Sequence, residues 1–194
     1  MSNEVARSNR TKFIALILLM LSPVVASVIL HNIKFRPDST VNYGELLEVK
    51  AIHGQAHEIE NNTIFRERQL HGKWSFAMID SGNCEEYCQK KLYQMRQVRL
   101  AQNTEKDRIN RIWFIDDQIV PNQEIKKEFE GTVLLTVNDN KFLDQFPAVS
   151  SKKDHIYIID PMGNLMMRYP RDANPSKMVN DIKLLLKLSH LEHK

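Results

Sequence analysis

The sequence predicts an α/β domain, a mixed sheet flanked by helices, behind one N-terminal transmembrane helix. Three observations predict it. An uncharged apolar run, Phe13 to Leu30, lies near the start of the chain. Strand-like apolar runs and helix-period segments then alternate from Trp74 onward. An early strand–helix–strand order implies parallel strands with a right-handed crossover, while a late hairpin implies antiparallel ones, so the sheet is mixed.

The apolar run FIALILLMLSPVVASVIL has the length of one bilayer crossing, roughly 17–25 residues as a helix. Pro23 lies inside it, which transmembrane helices tolerate. Arg7, Arg10 and Lys12 precede it, so the positive-inside tendency places the N-terminus in the cytoplasm and the rest of the chain outside. A cleaved signal peptide is the competing reading, since Val24-Val25-Ala26 offers small residues to a peptidase. The apolar run continues through Val28-Ile29-Leu30, which favours an uncleaved anchor. The expected organisation is a cytoplasmic N-terminus over 1–12, an anchor over 13–31, a tether and N-terminal arm over 32–64, and a folded domain over 65–194.

Residues 32–64 show weak periodicity, from Phe35-Arg36-Pro37-Asp38 through Asn42-Tyr43-Gly44, and predict one short hairpin at most. His71-Gly72-Lys73 is a turn, and Trp74 to Ile79 is a buried strand. From Glu85 to about Thr104, Tyr87, Cys88, Leu92, Met95 and Val98 fall at helical spacing. Lys90, Lys91, Arg96 and Arg99 then belong to a solvated face. Arg111 to Ile115 and Thr132 to Val137 are strands, and Lys141-Phe142-Leu143 begins a short helical or irregular stretch. His155 to Ile159 and Leu165 to Tyr169 form a hairpin about the turn Asp160-Pro161-Met162-Gly163-Asn164. Pro175 opens an amphipathic helix carrying Met178, Val179, Ile182, Leu185 and Leu186.

Composition narrows the function. The net charge is +3, from 27 basic and 24 acidic residues. The basic residues are dispersed and not interleaved with aromatics, which excludes a nucleic-acid surface. The chain has two cysteines, Cys84 and Cys88, at the start of the first helix of the domain. On a helix such a pair shares a face. The helix N-terminus favours thiolate, whereas Glu85 and Glu86 oppose it. The pair can exchange disulfides, clamp a soft metal ion or form a structural disulfide. In the last case a loop so short stabilises little.

A strand, a two-cysteine turn at a helix start and a closing hairpin and helix resemble the thioredoxin fold. Within it the Cys-x3-Cys spacing, the Leu70-His71-Gly72-Lys73-Trp74 lead-in, the Tyr157-Ile158-Ile159-Asp160-Pro161 run with Gly163, and the single anchor are similar to the Sco/SenC family. The resemblance spans roughly residues 65–190. It implies a bacterial protein anchored once in the cytoplasmic (inner) membrane, with a periplasmic thioredoxin-like domain. Its partners would be the membrane and a cytochrome c oxidase subunit or another assembly factor. The implied cargo is copper, held by Cys84, Cys88 and His155 and passed on in cytochrome c oxidase biogenesis. The chain departs from the family at Glu85 and Gln89, where proline usually follows each cysteine. The family's ligand histidine, counted back from Asp160, falls on Lys152, so His155 is the nearest candidate.

Two alternatives stand beside the metallochaperone reading. One is a thiol–disulfide oxidoreductase in which Cys84, as the more exposed thiol, attacks and Cys88 resolves. The other is a non-catalytic assembly scaffold that has lost its ligands. His53 and His57, interrupted by Gly54, read as an exposed arm, and His190 and His193 as solvated. Met162, Met166 and Met167 read as core packing.

Overall fold

The computed structural model describes residues 2–32 and 42–189. Phe35-Arg36-Pro37-Asp38 of the expected tether, and His190 and His193, lie outside the described residues. The chain divides into two compact units, at 1–41 and 42–194.

In the first unit, α1 runs over Ser2–Asn32. Its segment Lys12–Ile29 has a mean hydropathy of 2.4 and is exposed throughout, as a lipid-facing helix requires. Pro23 has no N–H to give the carbonyl of Leu19, one turn earlier. The Ser22 hydroxyl supplies a donor to that same carbonyl at 2.9 Å. In hydrocarbon an unmet carbonyl costs several kcal/mol, and the Ser22 bond meets the carbonyl that Pro23 leaves without a donor.

The second unit is one eight-stranded sheet with helices packed against it. Its strands are β1 (Glu45–Ala51), β2 (Gln55–Glu58), β3 (Thr63–Arg66), β4 (Trp74–Asp80), β5 (Ile109–Ile115), β6 (Thr132–Thr136), β7 (Ile156–Ile159) and β8 (Asn164–Tyr169). The spatial order is β1-β8-β7-β4-β5-β6-β2-β3. β4, β5 and β6 are parallel, and every other pairing is antiparallel. The helices are α2 (Glu86–Leu100), α3 (Gln123–Glu128), α4 (Asn140–Leu143) and α5 (Pro175–Ser189). The expected mixed sheet is present, with β4-α2-β5 as its crossover.

Strand alternation sorts the core onto two faces. Phe76, Met78, Trp113 and Ile115 point to one, under Leu92, Met95 and Val98 of α2 and Met178, Ile182 and Leu186 of α5. Ala77, Ile79, Ile112 and Phe114 point to the other. That second face is covered by α4 and the chain after it, not by a long helix. There Phe146 lies 5.4 Å from Phe114 and 5.1 Å from Tyr157, ring to ring. Fully burying each large apolar side chain contributes about 1.5–3 kcal/mol.

Two features went beyond the sequence pattern. Residues 45–66 supply three strands, one at one edge of the sheet and two at the other, where a single hairpin was expected. β1 is exposed at six of its seven positions, so it shows no apolar alternation to read. α3 is six residues long and is marked by Asn122, whose side chain accepts the N–H of Ile125 at 2.8 Å. Met162 also departs from the expected core role, being 72 % exposed at the tip of its turn. The turn itself is as predicted. The Asp160 carboxylate accepts the N–H groups of Met162 and Asn164 at 2.8 Å each, and Gly163 takes a positive φ of 84°.

Candidate functional site

β4 ends at Asp80, and four residues later the chain reaches Cys84. Ser81 to Asn83 must therefore turn the backbone sharply from strand to helix. The Cys84 N–H donates to Ser81 O at 3.1 Å, and Asn83 N–H donates to Ser81 Oγ at 3.1 Å. Cys84 itself holds a positive φ of 44°, a conformation that costs about a kcal/mol or more outside glycine and tends to persist at functional sites.

A second loop locks this turn. The Asp117 carboxylate accepts the N–H of Gly82 at 3.1 Å and that of Ile119 at 3.0 Å. Burial pushes the Asp117 carboxyl up, but bonds from the Ser81 hydroxyl and the Gly82 and Ile119 amides outweigh it and hold it below the usual range. Gly82 lies so close to this loop that an added Cβ would sit 1.7 Å from the Ile119 carbonyl oxygen. Only glycine fits there.

The structure brings Cys84 and Cys88 together as a disulfide, with Cα atoms 5.0 Å apart. Glu85 occupies the cap position of α2 but makes no side-chain capping bond. The first-turn amides of α2, which have no partner within the helix, thus receive no capping bond from the Glu85 side chain. Cys84 is 1 % exposed and Cys88 2 %. The expectation that Cys84 is the more exposed thiol is not met, because the Ser81–Cys84 turn folds it into the core between sheet and helix. A cleft of about 340 Å³ reaches Cys88. It is lined by Asp80, Ser81, Asn83, Glu85, Tyr87, Cys88, Lys153, Asp154 and Arg171.

The walls of the cleft are held by ion pairs. Arg171 meets Asp154 at 2.7 Å, and Lys153 meets Asp116 at 2.9 Å. The Tyr87 hydroxyl donates to the Asp154 carbonyl at 3.1 Å, with Arg171 stacked 4.7 Å from its ring. Lys91, expected on a solvated face, is buried instead. Its Nζ lies 2.8 Å from Asp80 Oδ2 and donates to the Ile79 carbonyl at 3.2 Å. Burial lowers its pKa, against the opposing charge and hydrogen bond of Asp80. Sequence spacing could not find it, because Lys91 next to Leu92 looks like the edge of the polar face.

His155 is not brought to the pair. It precedes β7 and shares the side of Tyr157, which belongs to the opposite face of the sheet from Cys84 and Cys88. Its ring sits 5.8 Å from that of Tyr157. Nδ1 lies 2.8 Å from the Tyr169 carbonyl, which can only accept, so Nδ1 carries the proton. Nε2 is buried without a partner. Lys152, at the position counted from the family motif, reaches Asp144 at 2.7 Å. Among the described residues no group of three or more His, Cys, Asp or Glu side chains is placed to hold a metal ion. His53 and His57 are exposed, as expected.

Residues 74–189 match the family described as transmembrane-like, thioredoxin-like, C-terminal domain. No curated protein matches in sequence. Among solved structures, copper-bound ScoI from Bradyrhizobium japonicum is 18 % identical with a TM-score of 0.54, covering 69 % of this chain and 98 % of its own. A SCO1/SenC family lipoprotein from Bacillus anthracis is 19 % identical with a TM-score of 0.55, covering 73 % and 97 %. The thioredoxin domain of a thiol-disulfide oxidoreductase from Bacteroides vulgatus is 15 % identical with a TM-score of 0.50, covering 76 % and 99 %. At these identities the likeness is one of fold.

Proposed function

The chain belongs to the transmembrane-like, thioredoxin-like family, and on that footing we propose that Cys84 and Cys88 are a working dithiol–disulfide couple held outside the cytoplasmic membrane. By exchanging disulfides with cysteines of a partner it serves cytochrome c oxidase assembly. The observation that carries this reading is the disulfide at the uncapped N-terminus of α2, opening onto a cleft through Cys88. Thiolates formed there meet unpaired amides and the positive end of the helix dipole. Among the described residues no three His, Cys, Asp or Glu side chains are placed to hold a metal ion together, which favours exchange over a closed metal cage.

The test is a redox titration of the full chain in detergent against glutathione buffers. A midpoint in the range of known exchange proteins, roughly −120 to −270 mV, is the expected result. A bond that stays oxidised well below that range would make the disulfide structural and leave a scaffold.

Copper handling is the second reading. Two thiolates are soft donors suited to Cu(I), and fold neighbours of this chain have been solved with copper bound. Here Cu(I) is cargo. Cys84 and Cys88 supply the two sulfurs, and His155 joins them only if the segment before β7 turns over. Cu(I) titration of the reduced chain against a competing chelator tests it. One copper bound by the parent, lost in the double Cys→Ser variant and retained in His155→Ala, is the two-sulfur result.

A further inference from the structure

Resting on the exchange reading above, we infer that Tyr87 is a positioning residue for the Cys84–Cys88 couple. Its hydroxyl clamps the disulfide ring to the two loops that wall the cleft, and so sets how readily the bond is reduced.

Tyr87 lies inside the ring that the disulfide closes, immediately before Cys88. Its hydroxyl is used in both directions. It donates to the Asp154 carbonyl at 3.1 Å and accepts the Asp172 N–H at 3.2 Å. Asp172 holds a positive φ of 56°, a conformation that persists outside glycine where the surroundings fix it. Arg171 covers the Tyr87 ring at 4.7 Å, with Lys91 at 5.5 Å and Lys90 at 5.9 Å from its centre. Two of these cations end on the same two loops, Arg171 on the Asp154 carboxylate and Lys90 on that of Asp172. One side chain of α2 thus ties two loops, distant from it in sequence, to the helical turn that carries Cys88.

Those loops and the other end of the ring are fixed to the same sheet. Lys91 pairs with Asp80 at the end of β4 and donates to the Lys153 carbonyl, and Lys153 meets Asp116, the residue after β5. Cys84 is set by its N–H on the Ser81 carbonyl and by Gly82 on Asp117. Whether a dithiol closes depends on the effective concentration of one thiol at the other, which rises as both are held in bonding geometry. The clamp adds to that concentration and favours the oxidised form. Burial raises the Tyr87 pKa above its ordinary value of 10. The hydroxyl therefore keeps its proton, and goes on donating, at the pH of roughly 8.5 where free thiols titrate.

The test is the equilibrium of the full chain in detergent with glutathione. Two glutathione thiols pass two electrons and two protons to the Cys84–Cys88 bond, become one glutathione disulfide and leave a dithiol. Mixtures are quenched in acid, alkylated and counted by mass. Tyr87→Phe keeps the ring and removes the hydroxyl. Its bond should be reduced in a buffer about tenfold less reducing, a midpoint about 30 mV less negative than that of the parent. Tyr157→Phe is the control for general softening, since the Tyr157 hydroxyl bonds to Pro147 and its ring belongs to the other face of the sheet. It should lower the urea midpoint and leave the glutathione equilibrium unmoved. A parent-like equilibrium in Tyr87→Phe, or an equal shift in Tyr157→Phe, would overturn the role of Tyr87 and leave the exchange reading intact. A bond that stays oxidised well below the exchange range in the parent and in Tyr87→Phe alike would sink the exchange reading, and this role with it.

Discussion

Lys91 Nζ and Asp80 Oδ2 meet at 2.8 Å at the root of the cysteine loop, with the Lys91 side chain 1 % exposed and that of Asp80 14 %. The pair joins the last residue of β4 to the second turn of α2, and Lys91 also reaches the Lys153 carbonyl on the far wall of the cleft. It ties together three segments that frame the disulfide.

Breaking a buried pair costs about 3–5 kcal/mol when one charge is left uncompensated. Lys91 is the deeper partner, so Asp80→Asn should destabilise more than Lys91→Met, read as the urea midpoint of the domain. The pH dependence follows from sign. The Lys91 pKa is lowered on folding by burial, so below its unfolded value of 10.5 the unfolded chain binds more protons. Removing Asp80 widens that gap. The deficit of Asp80→Asn should therefore shrink as pH rises toward 10.5.

Gly82→Ala should be among the costliest conservative changes at the site. Its Cβ would lie 1.7 Å from the Ile119 carbonyl oxygen, and the obstacle is backbone, not a flexible side chain. The two loops must separate, breaking at least one of the amide bonds to Asp117. A loss of about 2 kcal/mol or more is expected from strain of this kind, along with faster reduction of the disulfide by glutathione. An unchanged urea midpoint would mean that the loops are not clasped as described.

Reducing the disulfide should leave the fold intact. The closed ring spans a sequence separation of 4, and the loop-entropy relation gives about 2 kcal/mol for a ring of that size. No strand pairing of the sheet involves either cysteine, and two buried thiols keep the place of the disulfide in the core. Circular dichroism of the chemically reduced chain should match that of the oxidised chain, with a loss in a urea titration of no more than that amount. Collapse of the fold on reduction would make the bond structural and argue against a cycling couple.

Tyr157 should mark the alkaline limit of stability. Its hydroxyl donates to the Pro147 carbonyl at 3.0 Å, and burial raises its pKa far above the ordinary value of 10. A phenol raised on folding gives stability that is full below pH 10 and is lost as pH climbs toward the folded value. Tyr157→Phe should lose about 1 kcal/mol at neutral pH with the hydrogen bond, and its stability should fall less steeply above pH 10. Parallel pH profiles for the two proteins would refute the assignment.

Much of this molecule was legible in the residues. The apolar run Phe13–Leu30, the strand beginning at Trp74, the Asp160–Asn164 turn and the helix opened by Pro175 follow from local periodicity and turn chemistry and stand where expected, while the strand expected over Arg111–Ile115 begins two residues earlier, at Ile109. The two sulfurs do meet at the start of α2, but not on a shared helical face, since Cys84 lies before the helix with a positive φ. Edge strands β1 to β3 were not legible, because exposed edges need no apolar alternation and their pairing is with distant segments.

At the site, the sequence by itself determined which chemistry is on hand, two thiols beside a helix N-terminus behind a membrane anchor. Only the tertiary structure decided which groups share that chemistry. Asp154 reaches the cleft as the last residue of a short 3-10 turn, Lys152–Asp154, while the extended residue after it, His155, sets its ring against Tyr157. One position on α2 turns Lys91 inward to Asp80. The clasp of Gly82 on Ile119 closes Cys84 away and leaves Cys88 at the opening. Local pattern specifies which face of its own element a side chain takes, but what that face meets is set by contacts between segments far apart in the chain.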